Sequence, residues 1–190
     1  MMKEIVQKNN KILRQSAREI PTKEIASPKI KKILREMSSA LKSQDDGVAL
    51  AAPQIGYPLS IFIVSEKIFS EDFITNRSEK LSGERAVDDI KKVNKKLKDL
   101  VFINPKISKL SKQKEWLPEG CLSVRWFYGQ TFRSKKATIT AYDENGKKFQ
   151  RGASGLLAQI FQHETDHLKG VLFIDHAKDI REELPQNVQA

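Results

Sequence analysis

The sequence predicts an α+β fold in which mainly antiparallel sheets pack around a central helix carrying His163-Glu164-Thr165-Asp166-His167, with a second helix near the N-terminus. Three observations predict it. An amphipathic helical pattern comes early, short β-type runs follow, and an apolar helical stretch comes late.

The early helix begins at Ser27-Pro28, where serine suits the N-cap and proline the first helical position. Ile30, Ile33, Leu34, Met37 and Leu41 then form one apolar stripe, with Lys29, Lys31, Lys32, Arg35 and Lys42 on the other face. It should stop near Asp45-Asp46-Gly47. A small-residue stretch from Gly47 to Gly56 leads to Ser60-Ile61-Phe62-Ile63-Val64, which reads as a buried strand. Residues from about 66 to 99 are dense in charges of both signs and read as an insertion carrying a short helix, because structureless loops of that length are uncommon. The lysines at positions 91, 92, 95, 96 and 98 suit a solvated face, or alternatively a nucleic-acid contact. Val101-Phe102-Ile103 resumes the strand pattern and should halt at Asn104-Pro105. Thr138, Ile139, Thr140 and Ala141 alternate, and the turn residues Asp143-Glu144-Asn145-Gly146 predict a hairpin returning through Phe149. The late helix starts at Ser154-Gly155, carries Leu156, Leu157, Ile160, Phe161 and Leu168, and should end by Gly170.

The 190 residues suit one domain spanning 1–190, with residues 176–190 as a short tail. A chain of this size buries about 70% of its unfolded surface. There is no internal repeat and no Gly-, Ser- or Pro-rich linker. Charged residues make up 31% and hydrophobic residues 39%, and the apolar ones are clustered, which argues against wholesale disorder. Thirty-four basic residues against 24 acidic ones give a net charge of +10, favouring polyanionic surroundings. One cysteine excludes the disulfide-stapled secreted class. The first fifteen residues are charged throughout and do not read as a secretory signal. No apolar run approaches the roughly 20 residues of a membrane span. The expectation is a soluble, basic, cytoplasmic protein without a membrane partner and without sequence-specific nucleic-acid binding.

The chemistry lies on the late helix. His163 and His167 are four positions apart, so both imidazoles project from one face and can grip a single metal ion. Glu164 stands where its carboxylate can reach a water on that ion. A catalytic tetrahedral site takes three protein ligands and leaves the fourth position open. The third ligand could be His176, a carboxylate, or Cys121. A lone cysteine is commonly a small buried apolar residue, but Cys121 sits in Glu119-Gly120-Cys121-Leu122-Ser123, a tight segment after a strand that suits a ligand loop.

Three segments together resemble the peptide deformylase family. They are Gly47-Val48-Ala49-Leu50-Ala51-Ala52-Pro53-Gln54-Ile55-Gly56, Glu119-Gly120-Cys121-Leu122-Ser123, and Gln162-His163-Glu164-Thr165-Asp166-His167-Leu168. Milder similarity extends from about residue 11 to 174, leaving out the insertion and the last fifteen residues. The resemblance implies a metal-dependent hydrolase that removes the N-formyl group from the N-terminal formylmethionine of newly made polypeptides. It implies Cys121, His163 and His167 as metal ligands and Glu164 as general acid/base to the metal-activated water. Gln54 and the Leu122 backbone N–H would bind the developing oxyanion. Gly47, Val48, Ala49, Glu119 and Gly120 would lie against the substrate. It further implies one divalent ion per chain, Fe(II) in vivo, replaceable by zinc, nickel or cobalt. A thiolate ligand suits such a soft, redox-active ion and a reducing compartment. The partners would be N-formylmethionyl nascent peptides, with the basic surface available to the ribosome.

The sequence also departs from the family pattern. Ala49 stands where the pattern has glycine, and a need for φ > 0 there would add strain of order 1 kcal/mol. Trp126, Phe127 and Tyr128 either line the pocket for the methionine side chain or pack on the core. Asp166 and Glu119 suit hydrogen-bonding roles around the ligands. Two rival readings are an endopeptidase built on the same H-E-x-x-H helix, which leaves Gln54 and the Cys121 segment unexplained, and a basic RNA-binding protein with a vestigial metal site.

Overall fold

The computed structural model describes residues 3–70, 73 and 98–184. Most of the 66–99 insertion, with its lysines at 91, 92, 95 and 96, lies outside the described residues.

Helix α1 (Pro28–Lys42) forms where the periodicity placed it. Ser27 caps it by accepting from the Ile30 N–H, and Ile30, Ile33, Met37, Ala40 and Leu41 are buried. Burying each of the larger side chains contributes roughly 1.5–3 kcal/mol. They pack against Leu50, Ile55, Ile61 and Ile63 in one core cluster.

Among the described residues the strands form two antiparallel sheets. The larger runs β1-β2-β3-β6-β7, with β1 (Ala49–Ala51) at its edge, then β2 (Ile61–Val64), β3 (Leu100–Leu110), β6 (Lys136–Tyr142) and β7 (Lys148–Ser154). The smaller is β4 (Lys114–Gly120), β5 (Phe127–Ser134) and β8 (Lys178–Glu182). β2 is buried along its whole length because both of its faces are covered, Ile61 and Ile63 entering the core cluster under α1 and Phe62 and Val64 the one under the late helix, which is why it reads as a continuous apolar run. The β6–β7 hairpin turns as expected, with Gly146 at φ +80° and the Asp143 carboxylate accepting from the N–H groups of Asn145 and Lys147.

One expectation needs correction. β3 does not halt at Asn104-Pro105 but passes through it to Leu110, with a register shift between Ile103 and Lys106. The irregularity accommodates a proline that cannot donate to the ladder. Asn104 takes φ +49°, and its side chain pairs with both the N–H and the C=O of Ile20. Within the short tail, Lys178–Glu182 forms β8 on the edge of β5. All five β8 residues are exposed, so no apolar pattern marks it.

Helix α2 (Gly155–His167) binds both sheets. Leu157, Ala158, Ile160 and Phe161 enter the core of the larger sheet, where Phe161 meets Phe102 at 5.1 Å and Phe102 stacks on Phe62 at 4.5 Å. Gln159 and Gln162 face the smaller sheet. Gln159 donates to the Pro118 carbonyl, and Gln162 bridges the N–H and C=O of Ser134. The apolar contacts fix the helix axis, and the amide bonds fix its distance from β4 and β5. His163 therefore projects toward Glu119.

Candidate metal centre and active-site cleft

Cys121 follows the end of β4, and His163 and His167 lie one turn apart on α2. Their ligand atoms all fall within 4.8 Å of one another, the one such group of histidine, cysteine or carboxylate donors among the described residues. Cys121 Sγ lies 3.1 Å from His167 Nε2. Of the alternatives the sequence left open, His176 stands outside this group, 4.0 Å from Asp166 Oδ2. Three mutually close donors of sulfur and imidazole type fit a divalent transition metal with an open position.

A buried polar network holds His163. His163 Nδ1 donates to Glu119 Oε1 at 2.6 Å, leaving Nε2 as the ring nitrogen for a ligand. Glu119 also accepts from Arg133 Nε and Nη2 (3.0 and 2.7 Å), from the Thr131 hydroxyl (2.6 Å) and from Gln159 (3.4 Å). Arg133 Nη1 continues to Asp166 Oδ2 at 2.6 Å. Burial works against the Glu119 charge, but His163 and Arg133 outweigh it and hold the carboxyl well below the ordinary range. Burial also disfavours a charged His163, yet Glu119 and Cys121 raise it well above its ordinary value. His167 is pushed the other way by burial and by His163, which keeps it neutral.

Arg133 was invisible to sequence reasoning, because a buried arginine leaves no periodic signal. Breaking a buried, hydrogen-bonded ion pair from one side typically costs about 3–5 kcal/mol. Arg133→Ala should therefore destabilise the fold by about that amount in urea denaturation. A loss under ~1 kcal/mol would show the network to be dispensable.

Glu164 is 3% exposed, and its Oε2 has no hydrogen-bond partner. Burial pushes its carboxyl up to about 7, with Glu119 and Asp166 adding to the rise and His163 opposing it. An unpartnered carboxyl is costly to bury without a use, and its position beside two ligands puts it where a proton can be moved.

The cleft beside these groups has a volume of about 310 Å³. Every residue expected to meet substrate lines it: Gly47, Val48, Ala49, Gln54, Glu119, Gly120 and Leu122. Gln54 is buried, with Oε1 accepting from the Ala51 N–H at 2.7 Å and Nε2 lying 3.1 Å from Ser123 Oγ and 3.6 Å from Cys121 Sγ. The amide is thus held with its donor end at the ligand loop. Gln7 braces that loop from behind, donating to the Leu122 carbonyl at 3.1 Å. Gln7 did not stand out in the sequence, and Ser123 did so only as the last residue of the cysteine segment.

Ala49 carries no strain. It is a regular strand residue opposite Val64, and the non-glycine residues at positive φ among the described ones are Asn104 and Asp179. Gly47 and Gly120 are needed for space instead. A Cβ at Gly47 would lie 2.9 Å from Leu41 Cδ1, and one at Gly120 would lie 2.7 Å from the Tyr128 ring. Trp126, Phe127 and Tyr128 line the cleft, and Phe127 also packs on the core cluster around Leu13 and Leu172. Phe127 thus combines a place in the cleft wall with core packing, while Trp126 and Tyr128 are cleft residues.

A family model described as polypeptide deformylase matches residues 2–183, a wider span than the motifs and milder similarity had marked. The chain is 37% identical over 174 residues to peptide deformylase 1A, chloroplastic/mitochondrial, of Arabidopsis thaliana, covering 90% of this chain and 60% of that protein. It is 34% identical over 174 residues to peptide deformylase 2 of Clostridium acetobutylicum, covering 92% and 94%. A solved structure of a probable peptide deformylase from Synechococcus phage S-SSM7 superposes with a TM-score of 0.70 at 30% identity, covering 92% of this chain and 99% of that one. The chain spans about three fifths of the length of the plant relatives it matches.

Proposed function

Since the chain belongs to the polypeptide deformylase family, we propose that it is a metal-dependent hydrolase removing the formyl group from the N-terminal methionine of newly made polypeptides, with release of formate. The observation that carries this reading is the grouping of Cys121, His163 and His167 ligand atoms together with a buried Glu164 whose Oε2 is unpartnered, at a cleft lined by Cys121, His163, Glu164 and Gln54.

Cys121, His163 and His167 would hold the ion. A divalent cation supplies Lewis acidity there, polarising a carbonyl and lowering the pKa of water toward ~7. Glu164 Oε2 takes the proton of the attacking water and passes it to the nitrogen of the departing amine. The Gln54 amide and the Leu122 N–H donate to the oxygen of the formyl group as charge develops on it, a contribution that typically accounts for ~10²–10³ in rate per donor. The outer edge of β1, the terminal strand of its sheet, and the segment of Gly47 and Val48 before it offer backbone groups to the peptide part of the substrate. Trp126, Tyr128 and Leu156 supply apolar walls for a methionine side chain. Membership of the family implies Fe(II), replaceable by zinc, nickel or cobalt, and the sulfur ligand is compatible with each of these ions. That ligand also favours a reducing compartment, either the cytoplasm or an organelle. Among the described residues no helix is long and apolar enough to cross a membrane.

The test is formate release from a formyl-Met peptide, using protein purified without oxygen and assayed for bound metal. Formyl-Met peptides should be cleaved at least about a hundredfold faster than acetyl-Met peptides, because the acetyl methyl adds bulk at the reacting carbon where formyl presents hydrogen. Equal rates on the two, or cleavage of internal bonds in an unfolded protein, would point to the endopeptidase reading.

A further inference from the structure

The two walls of the cleft come from distant parts of the chain. One is the segment of Asp46, Gly47 and Val48 that leads into β1, and the other is the loop from Cys121 to Tyr128. Arg125 ties them together. Its Nη1 and Nη2 donate to Asp46 Oδ2 and Oδ1 at 2.5 and 2.9 Å, and Nη2 also reaches Gln44 Oε1 at 3.1 Å. The Arg125 side chain is 18% exposed and Asp46 55% exposed. The guanidinium lies 4.6 Å from the centre of the Trp126 ring, and Trp126 lines the cleft. On the Asp46 side, Lys67 donates to the neighbouring Asp45 carbonyl at 2.8 Å, so the segment is held from both directions.

We propose that the Asp46–Arg125 pair is a clamp across the cleft, fixing Trp126 as a wall for the peptide part of the substrate, with both residues acting as positioning residues. The identity of that substrate rests on the deformylase reading above. The bidentate geometry orders both walls before anything binds, so binding need not order them. His163 is held by a separate network through Glu119 and Arg133 on β4 and β5, and Glu164 and His167 are carried on the same helix, α2. Losing the clamp therefore weakens peptide binding and leaves the chemistry intact.

Arg125→Ala and Asp46→Ala should each raise KM for a formyl-Met tripeptide about tenfold while kcat stays within about threefold and metal content is unchanged. The double variant should be no worse than either single one, because both break the same contact. Asp46→Asn, a near-isosteric change at an exposed carboxylate, gives the same test should an alanine variant fold poorly. A second readout does not depend on activity. The chain has two tryptophans, so in a Trp116→Phe background the emission is that of Trp126 alone, and acrylamide should quench it more strongly once Arg125 or Asp46 is replaced. Unchanged KM and unchanged quenching in the single variants, or a double variant whose KM multiplies the two single effects, would overturn the clamp. Wild-type protein that releases no formate, with Trp126 quenching still raised in the variants, would remove the deformylase reading and leave the clamp standing.

Discussion

Cys121→Ala, His163→Ala and His167→Ala are each expected to lose stoichiometric metal and formate release together, with activity down at least about 10³-fold. The reason is the small number of donors. A three-ligand site has no spare ligand, and among the described residues no further histidine, cysteine or carboxylate joins the group. His176, the nearest alternative in sequence, faces Asp166 instead. The fold itself should survive Cys121→Ala, since Cys121 is only partly buried at the end of β4. Metal content by elemental analysis and turnover of the same samples decide the matter. A Cys121→Ala protein with full metal and wild-type turnover would make the cysteine core filler and sink the assignment of the centre.

Glu164→Gln should separate binding from chemistry, keeping the metal and losing about 10²–10⁴ in kcat, the usual range for a general acid/base. Glutamine matches the shape of glutamate but cannot accept the water's proton. Glu164 lies 3% exposed with Oε2 unpartnered, so an amide fits without breaking a hydrogen bond at that atom. Its carboxyl, pushed by burial to about 7, is poised both to take and to return a proton near neutrality. Comparable turnover in metal-loaded wild type and variant would take Glu164 out of the mechanism.

Much of this was legible in the residues. Ser27-Pro28 and the stripe behind it set α1, the Asp143-to-Gly146 turn set the β6–β7 hairpin, and the spacing of His163 and His167 on an apolar helix marked the centre. Each of these signals is local, arising from caps, turn chemistry and helical periodicity within about fifteen residues. β4 was expected only as a strand without bounds before the cysteine segment and β5 was missed, because their inner face carries Glu119, Thr131 and Arg133, so hydrophobic alternation is absent where a buried polar network replaces it. β8 was missed because all five of its residues are exposed.

By itself the sequence determined an α+β chain, its two helices, and the chemical types gathered at the centre, because these follow from local backbone preference and residue chemistry. Only the tertiary structure brought Cys121, which the residues by themselves left open beside His176 and a carboxylate, together with the two histidines. It also decided that Glu119 is shared between His163 and Arg133, that Ala49 sits unstrained in a strand, and that Arg125 reaches Asp46 across the cleft. Each of these is a contact between side chains 14 to 79 positions apart or the outcome of strand register. Such contacts are set by how two sheets close on α2, through packing and buried charge pairing that no local pattern records.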